Sequence, residues 1–109
     1  MKVLFLPDVR LYFRELESIL FQQEYFSYEE TAIRYVRELI TDIQNSLPDR
    51  QRRPAPAYFD RFGKNMFYAV FRKSKQTQWY AFFTMYENNG EIIYLVRYIS
   101  NNHVIAQLL

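Results

Sequence analysis

The hydrophobic pattern changes period twice along the chain. Lys2 to Leu6 is a short apolar run ended by Pro7, a residue with a fixed φ and no backbone donor, so an opening strand fits better than a helix. From Arg10 the spacing is helical: Val9, Phe13, Leu16 and Leu20 recur every three or four residues, with Arg14, Glu15, Glu17 and Ser18 between them. Ser27 followed by Glu30 has the spacing of a capping box and predicts the start of a second helix. Ile33, Val36, Ile40, Ile43 and Leu47 form the apolar stripe of that helix, and Pro48 marks its end. Asp49 to Ala57 holds two prolines among three arginines and has no period, so it reads as a polar connection. Beyond it the chain is rich in Tyr, Phe, Val and Ile. An initial strand is predicted at Tyr58 to Phe62, and longer ones at Met66 to Arg72, Thr77 to Tyr86 and Glu91 to Ser100. Lys73 to Gln76 and Asn88-Asn89-Gly90 supply the turns between them. The predicted class is α+β, one domain over residues 1–109: a short N-terminal strand, an αα-hairpin and an antiparallel β-meander.

A sheet covered on one face alternates apolar with polar residues. Phe67 to Phe71, Trp79 to Phe83 and Ile92 to Val96 are apolar at both parities, so both faces of the sheet require cover. The helix pair shields one face. The other calls for the tail residues Val104, Ile105, Leu108 and Leu109, a second copy of the chain, or another protein.

Composition narrows the chemistry. The chain has 109 residues, half of them hydrophobic, with ten Tyr, ten Phe and two Gly, which suits one folded domain and excludes a disordered one. The absence of Cys excludes disulfide frameworks and thiol nucleophiles, and with a single His a catalytic zinc site has too few ligands; no cofactor is expected. No apolar run reaches the roughly 18 residues of a membrane span, and Asp8 and Arg10 interrupt the only signal-like start, so a soluble cytoplasmic protein is expected. Charge is unevenly spread. Residues 48–75 carry eight basic and two acidic side chains, whereas residues 1–47 carry five and eight. Arg50, Arg52, Arg53, Arg61, Lys64, Arg72, Lys73 and Lys75 form either an anion or nucleic-acid footprint or a solvated loop and hairpin tip.

Thr77-Gln78-Trp79-Tyr80-Ala81-Phe82-Phe83 leads through Asn88-Asn89-Gly90 to Ile93-Tyr94-Leu95-Val96-Arg97-Tyr98-Ile99 and Asn101-Asn102-His103. With these residues and its element order, the chain resembles the RelE/ParE toxin superfamily of bacterial toxin–antitoxin systems along essentially its whole length, in a RelE-like subfamily. The resemblance implies a type II toxin: a metal-independent, ribosome-associated messenger RNA endonuclease that arrests growth and is neutralised by a cognate antitoxin. In such a reaction the ribose 2′-hydroxyl attacks the adjacent phosphorus, which requires a proton acceptor, cations around the phosphorane and an acid for the leaving oxygen. The alternative is a ParE-like binding module that inhibits DNA gyrase, or a toxin that retains only partner binding. The implied partners are the antitoxin and either the ribosome with its messenger RNA or gyrase; a homodimer of the free chain would also cover the sheet.

His103 follows the last strand, where some members of the superfamily carry a catalytic His, and an imidazole titrates near pH 6.5, so it is the expected acid or base; its other reading is a surface or capping residue. Arg97 interrupts an apolar strand and must find an anion, either a substrate phosphate or an internal carboxylate such as Glu87 or Glu91. Arg72, Lys73 and Lys75 are placed to grip RNA or simply to keep a hairpin tip soluble. Tyr80 and Tyr68 are candidates for base stacking or proton donation, and for packing. Asn102 and Asn101 are candidates for holding a nucleotide or for forming a turn. Where the RelE archetype alternates two lysines along its second strand and begins the third with arginine, this chain has Tyr68-Ala69-Val70 and Trp79-Tyr80-Ala81.

Overall fold

The computed structural model describes residues 1–23 and 26–109. Strand β1 (Lys2–Phe5) is followed by helix α1 (Pro7–Gln22) and helix α2 (Glu29–Ser46). A two-residue strand β2 (Arg53–Pro54), strands β3 (Phe67–Arg72), β4 (Gln78–Asn88) and β5 (Glu91–Asn101), and a short helix α3 (Asn102–Ile105) complete the chain. The class is α+β, as the periodicity predicts. The five strands form one mixed sheet in the order β1-β5-β4-β3-β2; β1 runs parallel to β5 and the other pairs are antiparallel.

Local chemistry shifts several boundaries. Pro7 ends the strand and also opens α1, because its missing N–H costs nothing in the first helical turn. Helix α1 therefore begins three residues earlier than its period suggests. Helix α2 begins at Glu29 with Tyr28 at the N-cap position and no side-chain cap, so the predicted Ser27–Glu30 box is not made; Glu29 and Glu30 instead set negative charge against the positive end of the helix dipole. Asn89 and Gly90 adopt positive φ of 53° and 80°, the backbone that a two-residue hairpin between β4 and β5 demands.

Val9, Phe13 and Leu16 of α1 and Val36, Leu39 and Ile43 of α2 pack on Trp79, Ala81, Phe83, Tyr94 and Val96 to form the larger core. The opposite sheet face is covered from within the chain. Residues Ala57–Phe62 form a 3-10 helix instead of the predicted strand, and Phe59, fully buried, stacks on Phe82 at 4.4 Å between ring centroids. Phe62 stacks on Tyr98 at 3.9 Å, and Ile105 of α3 completes this second cluster. The apolar-at-both-parities pattern is thus answered by the chain's own connector and tail.

A register shift between Phe82 and Phe83 pairs Phe82 with Tyr98 and Phe83 with Val96, leaving Arg97 as the extra residue of a β-bulge. Alternation in β5 is reset there: Tyr94 and Val96 face the helices, and so does Ile99. Strand β1 ends at the same level, with Phe5 paired to Val96. No helix among the described residues is long and apolar enough to cross a membrane.

Because Phe59 is fully buried and stacked on Phe82 within this second cluster, Phe59→Ala is expected to destabilise the fold by about 3–5 kcal/mol in urea denaturation, and Phe59→Leu by less than half of that.

Candidate functional site

The two expected catalytic groups are held apart. Arg97 donates from Nε to Thr84 Oγ1 at 3.0 Å, whereas His103 Nε2 lies 3.3 Å from Thr77 Oγ1. Thr77 and Thr84 differ in parity along β4 and so lie on opposite sides of the sheet, and seven residues at about 3.3 Å each separate them by roughly 23 Å. One phosphate cannot contact both groups, so the expected pairing of Arg97 with His103 in one hollow is not formed. The carboxylate alternative for Arg97 is not formed either: Glu91 approaches Lys2 at 4.0 Å. Arg97 instead lies under the connector, where a Cβ placed on Gly63 would come within 2.7 Å of its Cδ.

Asn102 is consumed by structure. Its Oδ1 accepts from the Gln78 backbone N–H at 2.8 Å and its Nδ2 donates to the Gln76 carbonyl at 3.0 Å, so it braces the turn between β3 and β4. Asn101 Oδ1 accepts from the His103 N–H at 2.9 Å and caps α3. Lys73 sits with its Nζ 5.2 Å from the ring centroid of Tyr35, on the helix side of the sheet. Lys75 is exposed at the turn.

Tyr80 and Arg72 belong to a different place. Cross-strand partners share a face, and on the face away from the helices Arg53 pairs with Tyr68, Val70 with Tyr80, and Arg72 with Gln78. Arg50, Arg53, Tyr68, Gln78, Tyr80 and Leu109 line a groove of about 600 Å³ on this face, which Arg72, exposed, shares through its pairing with Gln78. The rings of Tyr68 and Tyr80 meet edge to face at 6.0 Å, and Tyr80 Oη donates to Gln78 Oε1 at 3.3 Å. Burial, reinforced by Tyr68, raises the Tyr80 phenol above its ordinary range.

The basic block is divided by its neighbours. Arg50 is committed to Asp42 at 3.2 Å and lies over the ring of Phe71; Arg52 lies over Phe67 and Arg61 over Tyr58. Arg53 in the groove and Arg72 on the same face make no ion pair among the described residues. Arg53 is one of eight cations in the basic block with nothing in the sequence to set it apart from the others, and Gln78 carries no site signal of its own. Arg53 owes its position to a two-residue strand containing Pro54, which leaves no periodic signal.

A second concavity, of about 460 Å³, lies on the helix side between the end of α1, Tyr35 of α2 and the β3–β4 turn, and includes Trp79 and His103. Trp79 Nε1 donates to Tyr35 Oη at 2.9 Å; burial raises the Tyr35 phenol, and this bond works against the shift. Among the described residues no three His, Cys, Asp or Glu side chains cluster as metal ligands would. No family model matches the chain, and no curated protein or solved structure matches it at the significance applied. What the chain does must be read from the chemistry of these two concavities.

Tyr12 gives the fold an alkaline limit. Burial, with Tyr98 adding to it, pushes the Tyr12 phenol from 10.0 up to about 12. Its protonated form is favoured by folding, so that contribution is complete below pH 10 and is lost as pH rises towards 12. Thermal midpoints are expected to fall over this window, and Tyr12→Phe to flatten the decline.

Proposed function

We propose that this chain is the toxin of a type II toxin–antitoxin pair and that it acts on RNA through the groove bounded by Arg53, Arg72, Tyr68 and Tyr80. The observation that carries this reading is the pair of arginines without ion-pair partners among the described residues, set on the same sheet face as Tyr68 and Tyr80. Guanidinium groups suit phosphate oxygens through paired N–H donors. The half-buried ring of Tyr68 suits an unstacked base, the form in which single-stranded RNA is recognised, while Tyr80, 8% exposed, supports it from below. The resemblance in the Trp79–His103 region supports the toxin assignment, and the basic edge supports a polyanionic target.

The chemistry then divides as follows. Arg53, which lines the groove, holds the scissile phosphate and stabilises the charge that develops as the 2′-oxygen attacks phosphorus, and Arg72, four residues along β3 from the partner of Arg53, holds the RNA backbone beside it. The bond to the 5′-oxygen breaks, and that oxygen takes a proton from the Tyr80 phenol. No Asp, Glu or His side chain lines the groove among the described residues, so the 2′-hydroxyl proton passes to water or to the main-chain carboxylate of Leu109, which lines the same groove. That same lining favours a second reading, in which the groove binds a polyanion or gyrase without cleaving.

Induced expression is expected to arrest growth, and purified chain to cleave ribosome-bound messenger RNA. Arg53→Ala and Arg72→Ala should each weaken RNA binding about tenfold and lower its salt dependence by about one counterion. Tyr80→Phe should slow cleavage about a hundredfold with binding retained. His103→Ala should cleave normally, and the rate should rise with pH through neutrality without an imidazole-like limb. Intact transcripts with accumulating DNA damage would select the gyrase reading, and full activity in Arg53→Ala, Arg72→Ala and Tyr80→Phe alike would reject the groove.

A further inference from the structure

We propose that the concavity on the helix side of the sheet is a binding site for a small amphiphilic carboxylate, with an aliphatic or aromatic body and a single negative charge. Its volume of about 460 Å³ lies within the range of small-ligand sites and far exceeds a packing defect. Its floor is apolar and rigid. Leu16 and Trp79 are 4% and 2% exposed, and the Trp79 ring is anchored by its hydrogen bond to Tyr35. Ile19 and Val104 also line the hollow, and they remain 38% and 55% exposed, so an apolar body seated there removes further hydrocarbon from water.

The polar side of the hollow sets the charge of the ligand. Lys73 is its one permanent cation, steadied over the Tyr35 ring, and no Asp or Glu lines the cavity among the described residues. A head group with one negative charge matches one ammonium. Thr77 and His103, 3.3 Å apart on the same wall, offer hydrogen-bonding groups beside it. An ammonium ligand would meet Lys73 with like charge, and an uncharged one would leave Lys73 without a counterion. This site is separate from the arginine groove: Thr77 and Gln78 are adjacent in sequence, but their side chains serve opposite faces of the sheet.

Trp79 is the only tryptophan and forms part of the floor, so its emission reports occupancy directly. Titration of the full chain with octanoate, octanol and octylammonium, each below its aggregation threshold, tests the assignment. Octanoate is expected to shift Trp79 emission saturably and to bind at least tenfold more tightly than octylammonium. Lys73→Gln should weaken octanoate about tenfold and leave octanol unchanged, with the thermal midpoint of the free variant matching that of the parent chain. Equal affinities for the three compounds, octanoate binding insensitive to Lys73→Gln, or no saturable signal would overturn the proposal. A Trp79 shift that follows protein concentration without added acid would also overturn it, by making the hollow a contact between copies.

Discussion

Strand β4 is buried on both sides, and the rest of the molecule is arranged around that constraint. Its residues Trp79, Tyr80, Ala81, Phe82 and Phe83 are all at most 8% exposed, so neither face of the sheet can be left to water at its centre. Burying a large aromatic side chain is worth about 1.5–3 kcal/mol, and five consecutive buried positions make two-sided cover a condition of folding. Helices α1 and α2 meet it on one face. On the other, the connector bends into a 3-10 helix so that Phe59 and Phe62 lie flat on Phe82 and Tyr98.

This arrangement confines polar chemistry to the perimeter. With the middle of the sheet sealed, charged and hydrogen-bonding groups gather where β4 begins and where β3 and β2 form an edge. Two of the concavities lie back to back across the same strand end. One collects Arg53, Arg72 and two tyrosines, the other Lys73, His103 and the face of Trp79. Alternation along a strand separates them completely, although the residues concerned are neighbours in sequence.

The elements were legible because each carried its own period. The 3.6-residue stripes of α1 and α2, the aromatic strands and the Asn89-Gly90 turn appear where the pattern places them. The strand misread at Tyr58 to Phe62 is instructive: short apolar runs do not distinguish a strand from a 3-10 turn, and packing against Phe82 decided the outcome. Site residues were harder to assign. Tyr80 and Arg72 could be named as candidates from residue type, but the separation of Arg97 from His103 depends on β4 parity and a bulge in β5, neither of which leaves a compositional trace. Asn102 looked like a ligand to nucleotide because both its uses, turn brace and base contact, need the same amide.

The parallel pairing of β1 with β5 has a consequence for how the molecule is assembled. Lys2 meets Ile93 and Phe5 meets Val96, so the first strand docks only on the last. The β4–β5 hairpin closes a short loop through Asn89 and Gly90, whereas β1 must wait for a contact that spans nearly the whole chain, the kind that slows folding most. During synthesis the two amphipathic helices emerge before any of the strands β3, β4 and β5 whose residues cover their apolar stripes in the folded chain. The nascent chain therefore passes through a long interval of exposed hydrocarbon, the stage at which chaperone capture or early aggregation would act on it.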